Sequence, residues 1–114
     1  MTVIINGWVE FSPENAGKAV QTAAQLMADT RSQAGCREYV WSLDPTIPGR
    51  VYVYENWESS EDLNAHLAGR YYADMLGLLG QYEMLATDIL KYRIDHAEPV
   101  YDPNGVPRGD FFTG

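Results

Sequence analysis

Thiol chemistry is nearly absent from this chain, in which Cys36 is the only cysteine. One cysteine closes no internal disulfide, so the fold must stand on its core, and a reducing cytoplasm is the expected setting. Basic residues are scarce too: 8 Lys and Arg stand against 16 Asp and Glu, for a formal net charge of −8. They are scattered along the chain, which excludes the clustered cations that nucleic acid requires and disfavours binding to anionic membrane surfaces. No apolar run approaches the ~20 residues of a membrane span. The opening MTVIINGWVEF lacks a basic leader and is too polar for a signal peptide. The 2 histidines, His66 and His96, show no ligand spacing with each other or with Cys36, so no metal site is expected. A phosphate-cradling glycine loop and a dinucleotide fingerprint are also missing.

Aromatic and apolar residues are plentiful. The 114 residues suffice for one domain, and 46% of them are apolar, which excludes a disordered chain. With 8 tyrosines and 3 tryptophans, the chain has material for a core, an interface or a pocket for a flat ligand.

TVIINGWVEF at 2–11 is rich in β-branched and aromatic residues and reads as a strand. Val3, Ile5, Val9 and Phe11 share its apolar face; Ile4, Asn6, Trp8 and Glu10 share a mixed one, where Asn6 needs a partner. Ser12-Pro13-Glu14 starts a helix, with a capping hydroxyl, proline in the first turn and an acid after it. Ala16, Val20, Ala23, Ala24 and Met27 recur at helical spacing, and Gly35 ends that helix near Ala34. CREYVWSL at 36–43 and RVYVYENW at 50–57 read as an antiparallel hairpin around the loop DPTIPG. Ser59 and Asp62 form a capping pair for the next helix, which Gly69 breaks. A further helix is expected from about Tyr71 to Ala86, with Tyr72, Met75, Leu76 and Leu79 as its stripe. Gly77 and Gly80 weaken it by roughly 1 kcal/mol each relative to alanine, which suggests close packing or room for a ligand. DILKYRIDH at 88–96 reads as the last strand.

This order, βαββαβ, predicts an α+β ferredoxin-like sandwich over residues 1–96, followed by a tail at 97–114 that packs on a partner subunit or over a cavity mouth. Both faces of the expected sheet carry apolar groups, and helices cover only one. A second copy stacked sheet to sheet is the simplest cover, so a homodimer is expected.

The combination of G-C-R-E-Y at 35–39, a proline-containing loop and V-Y-E-N-W-E-S-S-E-D-L-N-A-H-L resembles the antibiotic biosynthesis monooxygenase family. The shared pattern is Gly35 opening a strand, Glu55 and Trp57 ending the next, Ser59 capping a helix, and His66 about nine residues beyond the tryptophan. The resemblance covers about residues 2–96 and implies a dimeric α+β barrel with a cavity in each subunit between sheet and helices. It also implies a monooxygenase that works with O₂ and no cofactor on a small aromatic, phenolic or quinol-type substrate. Such a ring, once deprotonated, is itself the electron donor to O₂, so the protein needs only to favour the anion and exclude water.

The resemblance implies pocket roles for Asn6, as oxyanion donor, and for Trp57, as a wall for the ring. His66 reads as a general base, with Glu55 orienting it; alternatively the two hydrogen-bond only to pin helix to strand. Asn6 has a plain structural reading as a satisfied strand residue, and Trp57 one as core. Trp8, Glu55, Tyr72 and Leu76 are the expected substrate-contact residues, with core or interface as the other reading of Trp8. Tyr71 is expected at a rim, and Arg70 in a surface ion pair or facing an anionic substrate. Haem-degrading relatives resemble this chain through Asn6, which makes haem the cofactor alternative, but they carry an axial histidine where Leu76 stands and a tryptophan where His66 stands, departures that count against it. A non-catalytic dimer that binds hydrophobic ligands or serves a stress response is another.

Overall fold

A computed structural model describes residues 1–114. The elements run β1 (Thr2–Phe11), α1 (Pro13–Arg31), β2 (Cys36–Leu43), β3 (Arg50–Trp57), α2 (Ser60–Leu67), α3 (Arg70–Leu79) and β4 (Met84–Ile94). The strands form a single antiparallel sheet in the order β2-β3-β1-β4, the ferredoxin-like topology expected from the sequence. No helix is long and apolar enough to cross a membrane.

Alternation along β1 sets the whole arrangement. Val3, Val9 and Phe11 are buried and join Ala16, Ala19, Ala23 and Met27 of α1 in one core cluster, with Ile5 packed at its edge. Odd-numbered residues of β1 and β3 therefore face the helices. Even-numbered residues, Asn6 and Trp8 among them, face away, because neighbouring residues of a strand point to opposite sides. Val51, Val53 and Trp57 of β3 are fully buried on the same face.

Several boundaries depart from the sequence-based expectation. Helix α1 stops at Arg31, and the chain turns through Gly35, whose φ of +78° favours glycine. A Cβ there would also meet the Asp62 carboxylate, so this glycine lets the start of β2 lie against the start of α2. Ser12 makes no side-chain cap bond; its carbonyl accepts from Asn15 and Ala16 instead. The Ser59 hydroxyl does accept from the Asp62 backbone N–H, at 3.1 Å. Helix α3 ends at Leu79 rather than Ala86, because Met84–Ala86 pair with Phe11 and Glu10 at the far end of the long strand β1. Gly77 has open space where a Cβ would sit, so close packing does not account for it.

Strand β4 is an edge strand, and all its residues except Ile94 are exposed. The tail after it folds on itself. Tyr101 and Pro107 bridge, Arg108 pairs with Asp110, and the Glu98 carboxylate accepts from the backbone N–H groups of Phe112 and Thr113. Its apolar side chains, Val100, Tyr101 and Phe111, stay exposed. The radius of gyration is 16.0 Å, above the about 13 Å of a compact chain of this length.

Candidate active site between the sheet and the helices

An apolar cavity of about 300 Å³ lies between the sheet and helices α2 and α3. Its floor is the helix-facing side of all four strands: Ile5 and Val9 of β1, Tyr39 and Trp41 of β2, Val53 and Glu55 of β3, Thr87 and Ile89 of β4. Its roof is the stripe of α3, Tyr72, Met75, Leu76 and Leu79, where the helical spacing placed it, together with Leu67 from α2.

Glu55 is the only ionisable carboxylate in this lining, and it is 8% exposed. Its Oε1 accepts one hydrogen bond, from Trp57 Nε1 at 3.0 Å, because residues two apart on a strand share a face. No protein donor reaches the second oxygen. Burial pushes the Glu55 carboxyl above its ordinary range, and the Trp57 N–H draws it back only in part. A buried carboxylate with one donor and an apolar surround favours holding a proton, which suits a group that must take one from a ligand.

Tyr39 lies beside Glu55, its register partner across the hairpin. Its hydroxyl accepts from Trp41 Nε1 at 3.0 Å. Burial, reinforced by the neighbouring Glu55, pushes this phenol well above its usual range. Tyr39 therefore stays neutral, and with Trp41 occupying its acceptor side its own O–H is free to donate into the cavity.

The sequence-derived site divides accordingly. Glu55, Tyr72 and Leu76 line the cavity. Trp57 lies beneath it as core, holding Glu55 in place rather than walling a ligand. Asn6 and Trp8 are corrections: both belong to the face turned away from the helices and cannot reach the cavity. Asn6 is exposed beside Tyr54 and Leu90, and Trp8 lies under the Arg50 guanidinium at 4.1 Å.

The expected pairing of Glu55 with His66 is also corrected. His66 Nδ1–H donates to Gln33 Oε1 at 2.7 Å, and its ring packs against Trp57 at 4.8 Å, Tyr39 at 5.7 Å and Tyr72 at 5.9 Å between centroids. Burial lowers its pKa, so the imidazole is neutral near pH 7. His66 does not line the cavity, and its bond to Gln33 ties α2 to the turn after α1. Arg70 extends into solvent and pairs loosely with Asp74 at 3.7 Å.

No three His, Cys, Asp or Glu side chains converge in a way that could hold a metal ion. The cavity has neither a histidine nor a cysteine in its lining, and Leu76 stands on the roof, so the residues present do not fit a histidine- or thiolate-ligated haem. Tyr39 and Trp41 were missed at the sequence level. Their signal was there in the alternation of CREYVWSL, but it carries meaning only once the hairpin register sets Tyr39 opposite Glu55.

Fold and cavity together define a ferredoxin-like α+β protein with an apolar cavity beside one buried carboxylate. Residues 2–77 match the profile of the family described as antibiotic biosynthesis monooxygenase, and the chain belongs to that family. Comparison with curated protein sequences gives no match. Among solved structures, the chain is similar to a candidate antibiotic biosynthesis monooxygenase from Deinococcus radiodurans, with 25% identity over 88% of this chain and 99% of that one and a TM-score of 0.78. A corresponding protein from Caulobacter crescentus CB15 shares 20% identity over 85% of this chain and 91% of its own, with a TM-score of 0.74. A conserved protein from Methanosarcina mazei Go1 shares 19% identity over 82% and 92%, with a TM-score of 0.73. The last two likenesses concern the fold alone.

Proposed function

We propose that the protein is a cofactor-independent monooxygenase that oxidises a small phenolic, quinol-type or similarly acidic aromatic ring with O₂ in this cavity. The observation that carries the reading is Glu55: a buried carboxylate with one oxygen held by Trp57 and the other without a protein donor, at the floor of an apolar chamber. Glu55 takes the ring hydroxyl proton, and the phenolate so formed gives electrons to O₂. The reduced oxygen then joins a ring carbon as a peroxide, which takes up the proton. Loss of the hydrogen on that carbon, with cleavage of the O–O bond, leaves a carbonyl and releases water. One oxygen atom enters the quinone, the other leaves as water, and all electrons come from the ring. The neutral Tyr39 hydroxyl donates to the developing oxyanion, and the apolar roof excludes bulk water.

The working unit in this reading is a homodimer stacked through the outward sheet face. Support comes from exposed Tyr52, Leu90 and Tyr92 on that face and from the unpaired edge strand β4. The exposed apolar groups of the tail fit a place on the partner subunit.

Oxygen uptake across a panel of naphthols, hydroquinones and anthrones tests the function. Uptake that the Glu55→Gln variant loses is expected. Binding of these compounds without uptake would replace this reading with a ligand-binding one.

A further inference from the structure

Beside the apolar cavity a second cleft, of about 280 Å³, opens between α2 and β4. The two share Leu67. Lys91 and Arg93 line this second cleft from β4, and Lys91 also reaches a shallow opening with Ile5 and Ile89, both residues of the apolar cavity. The strand register makes this continuity specific. Tyr39, Glu55, Ile5 and Lys91 stand in one row across the sheet, and Trp57, Val3 and Arg93 in the next. All of these face the helices. Glu55 and Lys91 are thus two strand spacings apart, roughly 10 Å between backbones.

The net charge is −8, yet neither Lys91 nor Arg93 takes part in any of the ion pairs, which involve Arg50, Arg70, His96 and Arg108. Lys18, Arg31 and Arg37 also lack an ion pair, but of the unpaired cations only Lys91 and Arg93 line a cleft. The α2 side facing them is uncharged: Ser60, Leu63, Asn64 and Leu67 line the cleft, while the acidic Glu61 and Asp62 of that first turn are absent from it. In an acidic protein whose field repels anions, an unneutralised pair of cations at the end of an apolar chamber forms a local anion trap.

We propose that Lys91 and Arg93 form an anion subsite, so that the ligand of this cavity is an aromatic acid: a flat ring system carrying a carboxylate or comparable anion at one end and its acidic hydroxyl at the other. The inference rests on the cavity reading above for the placement of the ring, with the hydroxyl at Glu55 and the anion across Ile5 at Lys91. A ligand of this kind spans the row, and its charge fixes which end meets the base.

The test uses 6-hydroxy-2-naphthoate, whose hydroxyl and carboxylate lie at opposite ends, against its uncharged carboxamide, each titrated under anaerobic conditions by fluorescence. The wild-type protein is expected to bind the carboxylate about 10- to 100-fold more tightly, the range of charge-assisted hydrogen bonds, and to lose that preference as salt is raised. Lys91→Met with Arg93→Met should abolish the preference while leaving the carboxamide affinity and the melting temperature unchanged. The charge-preserving exchange Lys91→Arg with Arg93→Lys should retain it. Equal affinities in the wild type, or equal losses for both ligands in the double Met variant, would overturn the subsite. A carboxylate preference without oxygen uptake would uphold the subsite and overturn the oxygenation reading; failure of both ligands to bind would overturn both.

Discussion

In the variant Glu55→Gln the carboxylate gives way to an amide of the same shape, and Trp57 Nε1 keeps an acceptor at the position where it now donates at 3.0 Å. Packing is preserved, so what changes is the charge. The folded Glu55 carboxyl titrates above its ordinary range because burial disfavours the ion. A group with a raised folded pKa contributes its full stability below the unfolded value, near 4.3 for glutamate, and loses it as pH rises through the folded pKa. At about pH 4, just below that unfolded value, wild type and variant should therefore melt at nearly the same temperature. At about pH 8 the wild type carries a desolvated carboxylate and the variant does not, so the variant should be more stable by on the order of 1 kcal/mol, or about 4 °C. Turnover moves the other way: removing a general base costs about 10²- to 10⁴-fold. Calorimetric melts at both pH values, paired with oxygen-electrode rates, read both quantities. A variant that is less stable than wild type at the higher pH, or that turns over normally, would refute the assignment of Glu55.

Other substitutions separate the roles of the remaining residues. Trp57→Phe removes the N–H donor and part of a fully buried ring, so a loss of about 1–3 kcal/mol is expected, with the pH–rate profile moved to higher pH as Glu55 loses its only hydrogen bond. His66 has a depressed folded pKa, so its contribution is present above the unfolded value near 6.5 and lost as pH falls through the folded one. His66→Phe keeps an aromatic ring and should flatten the fall in melting temperature on acidification. Asn6→Ala, on the face turned from the cavity, should leave turnover by the assembled protein unchanged. Leu90→Asp, on that same face, should yield monomers in sedimentation velocity if the faces pair.

The backbone plan was readable because each strand announces itself twice, by β-branched and aromatic composition and by turn residues at its ends. RVYVYENW and CREYVWSL begin and end where the residue pattern places them. The boundary at 80–84 was not readable, since GLLGQYEML carries no strong stop, and only pairing with the far end of β1 makes Met84 a strand residue. The site was harder. Alternation separates Asn6 from Ile5, but it does not say which set faces the helices; the buried contacts of Val9 and Phe11 with α1 decide that. In the same way Glu55 and His66 stand near each other in sequence, yet Trp57 and Gln33, on different elements, claim their hydrogen bonds. Lys91 and Arg93 look like ordinary edge-strand charges until the register sets them beside Ile5 and Val3.

The most direct measurement of the central claim is mass spectrometry of the product formed from a naphthol or hydroquinone under isotopically labelled dioxygen, with protein freed of metals by a chelator. One labelled atom in the quinone, formed by wild type and lost with Glu55→Gln, is the expected result. A product labelled from water, or activity that disappears with the metal and returns only when it is restored, would contradict a cavity that works through Glu55 and the ring's own electrons.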